Sequence, residues 1–352
     1  MIENYFKIAW RNIVKSKGYS ALNIFGLATG MAVALLIGLW VYYQFSYDRF
    51  LPAYQQAYKA RLRYTANGAI SVGPATPFPL ADALKRDIPG IKYIAQSDWM
   101  GPHSLVTGEK KIYPGGVMAS PDFIKIFRYP FLKGNRDAAL QSTYSIVLTE
   151  STAKALFGNE DAMGKAVRID NTQDLKVTGI IKDLPDNSTM KFNFIVPFSY
   201  YTRNDWVKND IDNWRDNSFQ TFVGLEPNTS YAQVESKIKI IAKQYNPEDY
   251  KLSKYEVMLQ PIKDWHLYNE ARNGVFDGGF IDYVKMFGIT GILVLLIACI
   301  NFMNLSTARS EKRAREVGIR KAIGSQRKDL IFQFLIESVV LSLIAGLISL
   351  LL

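Results

Sequence analysis

Residues Thr307–Leu330, TARSEKRAREVGIRKAIGSQRKDL, carry eight Lys or Arg residues and lie between two long apolar runs. Within this segment two glutamates each precede an arginine by four residues, an order that stabilises a helix. Gly324 then predicts a helix end, and Ser325 can cap the helix that follows. The segment is therefore predicted to form a helix, a sharp turn and a second helix. The alternative is a charged loop that only sets membrane topology.

Three apolar runs are long enough to cross a bilayer, which takes about 20 residues. The first two are uncharged from Gly18 to Tyr47 and from Met286 to Ala308, and the third contains a single acid, Glu337. The alternative of buried core helices fits the first two poorly, because both are long and have basic flanks. The predicted transmembrane helices are 21–43, 284–306 and 330–352.

The distribution of charge supports a membrane protein rather than a nucleic-acid-binding one. The chain of 352 residues has a net charge of +10. Residues 44–283 hold 29 Lys or Arg against 27 Asp or Glu, or +2, whereas the rest of the chain holds 13 against 5, or +8. The excess therefore lies beside the apolar runs, as in cytoplasmic loops of membrane proteins. We accordingly predict the lipid bilayer, and no nucleic acid, as a partner.

The topology follows from these charges. The first span is followed by WVYYQFSY, an aromatic belt, and has no cleavage site, so it is predicted to be an uncleaved anchor. The amino terminus is expected in the cytoplasm, residues 44–283 outside, and residues 307–329 back in the cytoplasm. Residues 1–20 are predicted as an interfacial helix or, alternatively, the start of the first span. Because the last residues, Leu350–Leu352, would leave a carboxylate in hydrocarbon, we expect a truncated, longer protein.

The external block, 44–283, is predicted to be a mixed α/β domain. Strand, helix and strand patterns recur near both ends, in 57–99 and 218–262, and flank a strand-rich middle part at roughly 130–205. The block contains no cysteine, so it requires no disulfides; Cys299, in the second span, is interpreted as a packing residue. The fold class is thus an α+β membrane protein with transmembrane helices and a mixed α/β core domain.

No catalytic residue, metal ligand or cofactor site is predicted. GNEDAMGKA, residues 158–166, resembles a P-loop, but five residues separate its glycines and Ala166 replaces the Ser/Thr that binds magnesium. The two histidines, His103 and His266, lack the motifs of hydrolases or metalloenzymes. Asp183 and Asp186 are interpreted as solvated loop residues. Glu337 is a candidate functional residue because it lies inside a span, and the alternative is an acid that bonds a neighbouring helix.

Two ends of the chain carry a family resemblance. The segment NLSTARSEKRAREVGIRKAIGSQRKDLIFQFLIESVVLSL resembles the signature of MacB/FtsX-type ABC transporter permeases, and FKIAWRNIVKSKGYSALNIFGLATGMA resembles their amino terminus. LFGNEDAMGKAVRI and VTGIIKDLPDNSTMKFNFIV are similar to the periplasmic core domain of that family, a two-part porter-like subdomain with an inserted subdomain. The second of these looks like members from Bacteroidetes, which often repeat the whole unit.

The resemblance implies a permease subunit in the bacterial inner membrane that couples ATP hydrolysis to movement of its periplasmic domain. The expected partners are a separate ABC ATPase, a second permease of the same or another kind, and a periplasmic or outer-membrane protein. The rivals are an FtsX-like regulator of cell-wall hydrolases and a membrane-anchored sensor. The residues that the resemblance places in ATPase docking are Glu316, Val317, Gly318, Ile319, Arg320, Lys321, Ala322 and Gly324.

Overall fold

The computed structural model describes residues 2–312, 318–319, 322 and 327–352. The chain divides into two compact units. The helical unit comprises Met1–Phe45 and Asp282–Leu352, and the sheet domain comprises Ser46–Ile281.

The helical unit contains three helices long and apolar enough to cross a membrane, over Lys17–Phe45, Phe280–Ala308 and Ile331–Ser349, among the residues described. Less than a quarter of each apolar window is buried within the protein, as expected for helices whose side chains face lipid. The helices are α1 (Ile2–Lys15), α2 (Lys17–Phe45), α10 (Phe280–Lys312) and α11 (Arg327–Ser349).

Small residues permit close packing of these helices. A Cβ at Gly30 of α2 would overlap the Cβ of Ala298 on α10, so the two backbones approach closely at this point. Ala28 and Ala345 are fully buried beside this contact, which joins α11 to the same cluster. Close approach at small residues is how helices associate in a bilayer, where apolar burial alone supplies little drive.

The sheet domain is mixed α/β, as predicted. Its helices are α3 (Leu80–Asp87), α4 (Asp122–Phe127), α5 (Glu150–Phe157), α6 (Phe198–Tyr201), α7 (Asp205–Asn209), α8 (Tyr231–Tyr245) and α9 (Pro247–Ser253). Its strands are β1 (Ala57–Ala66), β2 (Ala69–Gly73), β3 (Ile91–Ser97), β4 (Gly101–Pro102), β5 (Leu105–Thr107), β6 (Lys110–Ile112), β7 (Gly115–Ala119), β8 (Phe131–Gly134), β9 (Ser145–Thr149), β10 (Ala166–Ile169), β11 (Gln173–Ile181), β12 (Phe194–Pro197), β13 (Gln220–Leu225), β14 (Glu256–Pro261), β15 (Glu270–Arg272) and β16 (Val275–Gly278).

The first half of the large sheet has the strand order β14–β1–β13–β3, with all three pairings antiparallel. It is built from β1–α3–β3 and β13–α8–β14, the two β-α-β units predicted from the sequence. Both units are split, because β13 lies between β1 and β3, and β1 lies between β13 and β14. One face of these strands packs Leu62 and Val223 against Leu84 of α3 and Ile238 of α8. The amphipathic spacing of both helices thus forms a core on this face.

The second half continues through β7–β12–β9–β11–β10–β5–β6. Here β7 pairs with β12 and β9 with β11 in parallel, and α5 follows β9 as the short predicted helix. The strands β5 and β6 pair with each other and β5 pairs with β10, so residues before the predicted middle part, 130–205, also belong to this half. A separate aromatic core around Phe123, Phe127 and Phe222 lies between the two halves.

Candidate functional site

The predicted docking segment is only partly described. Gly318, Ile319 and Ala322 are helical and exposed, and 55% of the Ile319 side chain is accessible. A Cβ placed at Gly318 would meet no atom within 4 Å, so nothing in the described chain requires a glycine there. The remaining predicted residues, Glu316, Val317, Arg320, Lys321 and Gly324, lie outside the described residues.

Glu337 is held inside the helical unit. It lies on α11, is only 5% exposed, and accepts a hydrogen bond from the Asn12 side-chain amide of α1 at 3.3 Å. A neutral donor offsets part of the cost of burying a carboxylate. This geometry matches the alternative in which the acid bonds a neighbouring helix, and it ties α1 to the helix that follows the docking segment.

A clamp holds the chain where it leaves α2. The Asp48 carboxylate accepts hydrogen bonds from the Thr189 backbone N–H, at 2.9 Å, and from the Thr189 hydroxyl. In return the Asp48 N–H donates to the Asn187 carbonyl at 2.9 Å, and the Asn187 amide donates to the Ser46 carbonyl at 3.1 Å. Residues 46–48 are therefore bound to 187–189, a loop of the second half of the sheet.

The conformation of Asp48 fits this role. Its φ is +57°, a left-handed value that Asp and Asn adopt more readily than other non-glycine residues. Asp48 is 1% exposed, and burial raises the pKa of its carboxyl although the bonds from Thr189 oppose the shift. The carboxylate is thus kept in a buried position by donors from a segment about 140 residues away in sequence, where no sequence pattern indicates a contact.

His266 joins the two segments that lead to the helical unit. The Tyr47 ring stacks on the His266 imidazole with centroids 3.4 Å apart and planes 2° apart. Phe280, the first residue of α10, lies 4.9 Å from the same imidazole. Burial lowers the pKa of His266, so the ring stays neutral at physiological pH. One side chain therefore contacts both the chain leaving α2 and the start of α10.

The described residues contain no candidate metal site. Among residues 2–312, 318–319, 322 and 327–352, no group of His, Cys, Asp and Glu side chains could hold a metal ion. His103 pairs with Asp170 at 2.7 Å on the surface of the sheet domain. In the P-loop-like stretch, Gly158 and Gly164 have positive φ and form turns before β10.

Asp183 is one residue whose role the sequence analysis missed. Its carboxylate accepts from the N–H and the hydroxyl of Ser151, at 3.0 and 2.8 Å, near the start of α5. An acid bonded to the first turn of a helix stabilises that helix. The sequence around Asp183, VTGIIKDLPDNSTMKFNFIV, contains no pattern that distinguishes an acid bonded to a helix start from a solvated one.

The sequence matches two domain families. Residues 20–241 match the MacB-like periplasmic core domain, and residues 288–352 match the FtsX-like permease C-terminal domain. The first match alone covers more than half of the chain.

Individual relatives agree with these matches. The chain is 28% identical to the macrolide export ATP-binding/permease protein MacB of Aggregatibacter actinomycetemcomitans, over 60% of this chain and 30% of that protein. It is 22% identical to the ABC transporter permease YvrN of Bacillus subtilis, over 99% of this chain and 85% of that protein. The chain thus spans about a third of the length of the MacB relatives and most of the length of YvrN.

A solved structure shares the fold of the sheet domain. The crystal structure of a domain described as part of a permease from Porphyromonas gingivalis superposes with a TM-score of 0.52 at 18% identity, over 67% of this chain and 98% of that chain. The domain architecture, the three apolar helices and the two family matches lead to one assignment. This chain belongs to the MacB/FtsX-type permeases of ABC transporters.

Proposed function

We propose that this permease couples ATP hydrolysis by a separate ATPase subunit to movement of its sheet domain, for export or extraction of a substrate at the cell envelope. In this proposal the amino terminus and the docking segment are cytoplasmic, and the sheet domain is periplasmic. The chain itself is non-catalytic and acts as a dimer with another permease in the inner membrane. A periplasmic or outer-membrane protein completes the pathway for the substrate.

The observation that carries this proposal is the shared anchor on His266. If helices are to move a domain, the segments that connect them to the domain must not be flexible. Tyr47 and Phe280 contact the same imidazole, and Asp48, the residue after Tyr47, is hydrogen-bonded to Thr189. Both connecting segments are therefore held together within the sheet domain, and in this proposal a shift of either helix is passed to the sheet rather than absorbed by a loop.

In this proposal the docking segment is the part of the helical unit that contacts the ATPase. Ile319 is helical and exposes most of its apolar side chain, in a stretch of sequence that is otherwise rich in charge. Burying an isoleucine contributes about 1.5–3 kcal/mol, enough to change a dissociation constant by roughly ten- to a hundredfold. Ile319 is thus suited to fill a groove on the ATPase, with Arg320 and Lys321 beside acidic groups of that partner.

The test is co-purification of the ATPase from native membranes with the wild type, Ile319→Asp and Ile240→Asp. Ile240 is the matched control, because it is also on a helix, α8, and is 54% exposed against 55% for Ile319. We expect a P-loop ATPase with the wild type and Ile240→Asp only, together with stimulated ATP hydrolysis. Recovery with Ile319→Asp at the wild-type level would refute docking through this segment.

The same preparation distinguishes the regulator from the transporter. If the wild type recovers a cell-wall hydrolase bound to the sheet domain, the movement serves regulation of that enzyme and not transport. If no ATPase is recovered with the wild type or with the control, the coupling proposal as a whole fails.

A further inference from the structure

Strand β1 places three cations on one face of the sheet domain. Lys59, Arg61 and Arg63 alternate with Ala60 and Leu62, whose side chains are buried in the core beneath α3 and α8. Because alternate residues of a strand point to the same face, the three cations form a row on the opposite side. This row is independent of the anchor around His266 and of the proposed coupling to an ATPase.

Only the last cation of the row has an acidic partner. Arg63 pairs with Glu256 of β14. Neither Lys59 nor Arg61 forms an ion pair within the sheet domain, all of which is described. Their neighbours are neutral instead: the Lys59 ammonium donates to the Gln220 side chain, and Arg61 Nε donates to Gln260 at 2.9 Å.

Aromatic rings surround the two unpaired cations. The Lys59 nitrogen lies 5.3 Å from the centre of the Trp99 ring and 5.7 Å from that of Phe222. The guanidinium carbon of Arg61 lies 5.5 Å from the centre of the Phe276 ring on β16. Ring faces attract cations but do not neutralise them. Trp99 is 47% exposed, and its indole N–H is fixed by the Ser218 carbonyl at 2.7 Å.

Burial makes this arrangement costly for the protein alone. Lys59 is 8% exposed, and charges taken out of water without a counter-charge are strongly disfavoured. Burial, together with the charge of Arg61, lowers the pKa of Lys59 to about 7, and burial lowers the pKa of Arg61 to about 10. No carboxylate opposes either shift. An anion placed between the two side chains would stabilise the charged forms of both Lys59 and Arg61.

We propose that Lys59 and Arg61 bind an amphipathic anion, a molecule that carries a carboxylate or phosphate on an aromatic or aliphatic body. Two residues along a strand are separated by about 6.6 Å, so one anionic group can contact both cations. The body of the ligand lies against the exposed ring of Trp99 and against Phe276. The half-exposed Trp99 and the partly exposed Arg61 give access from solvent.

The binding test uses calorimetric titration of the full chain in nanodiscs of neutral lipid. The probes are benzoate and phenyl phosphate, with benzamide as the neutral analogue and inorganic phosphate as the charge without a body. We expect both aromatic anions to bind, inorganic phosphate to bind more weakly, and benzamide not to bind. Lys59→Gln and Arg61→Gln should each weaken binding at least tenfold. Lys111→Gln is the matched control, since Lys111 also lies over a ring, 5.2 Å from that of Tyr113, but is exposed.

Proton uptake provides a second readout on the unaltered protein. At pH 8 an anion that recharges Lys59 must take up a fraction of a proton, which titrations in buffers of different ionisation enthalpy measure. Lys59→Gln should abolish this uptake. The proposal is overturned if neither aromatic anion binds the wild type, if binding occurs without proton uptake, or if both glutamine variants bind like the wild type. The wild-type readout decides the question even if a variant fails to fold.

Discussion

Replacing Asp48 by alanine removes the side-chain part of the clamp between residues 46–48 and the loop at 187–189. The variant loses two hydrogen bonds to a carboxylate, one from the Thr189 N–H and one from its hydroxyl. Each such bond contributes about 1.5–3 kcal/mol. Alanine must also adopt the left-handed conformation at φ +57°, which costs roughly 1–2 kcal/mol.

Two effects reduce the expected loss. Burial already disfavours the Asp48 carboxylate, as its raised pKa shows, and removal of the side chain relieves that cost. Thr189 is exposed, so water can replace the lost acceptor for its N–H. We therefore expect Asp48→Ala to lower the free energy of unfolding of the sheet domain by about 3 kcal/mol. For a domain of this size that corresponds to a midpoint roughly 6–12 °C lower.

The assay is thermal unfolding of the purified chain, with Asp48→Asn as the matched control. Asparagine tolerates the left-handed conformation, its carbonyl still accepts from the Thr189 N–H, and its amide can donate to the Thr189 hydroxyl. We expect Asp48→Asn to stay within about 1 kcal/mol of the wild type. If Asp48→Ala unfolds at the wild-type temperature, the Asp48 carboxylate contributes nothing to holding residues 46–48 against 187–189.

Three other substitutions test the reasoning elsewhere. The fully buried hydroxyl of Tyr129 has no hydrogen-bond partner in the described chain, so Tyr129→Phe should leave the free energy of unfolding unchanged or raise it by about 1 kcal/mol, and a clear loss would indicate a hidden partner. Burial raises the pKa of Asp98 to about 6, so the wild type loses stability as the pH rises from about 4 through 6. Asp98→Asn keeps the acceptor for the Met118 N–H. This variant should be more stable than the wild type by about 3 kcal/mol at pH 7.5 and should lose that advantage below pH 4. Gly318→Ala should favour the helix by up to about 1 kcal/mol, because no atom of the described residues lies within 4 Å of the added methyl group, and a drop in ATPase stimulation without a drop in unfolding temperature would assign the glycine to partner contact.

Local patterns in the sequence predict the elements of the sheet domain well. The alternation in AYKARLRY indicates β1, and the apolar spacing in TSYAQVESKIKIIAKQY indicates α8, because each pattern reflects burial of one face. The short strands β5 and β6 were not predicted. Each has three residues of mixed polarity at one edge of the sheet, and the pairing of β5 with β10 depends on contacts about 60 residues away.

The candidate site is harder to predict for the same reason. The clamp joins residues separated by 141 positions, and a single acid after an apolar run looks like ordinary helix flanking. The sequence indicated only that His266 lacks a catalytic or metal-binding motif, and its position between both connections to the helical unit depends on the whole fold. The docking residues could be named only through family resemblance, and their role stays a prediction.

The contacts around Asp48 and His266 and the proposed anion site on β1 are separate features of the same sheet domain. Asp48 and His266 hold the segments of the sheet domain that adjoin α2 and α10, whereas Lys59 and Arg61 on β1 have no counter-charge. A ligand bound on β1 would stabilise the ordered β1–β13–β14 layer, since binding to the folded state alone raises its stability. It would then alter the stiffness of the strands to which, in the proposed function, movement is passed. Comparison of ATPase stimulation with and without phenyl phosphate, in the wild type and in Lys59→Gln, would show whether the two are linked: a change confined to the wild type supports linkage, and an equal change in both excludes it.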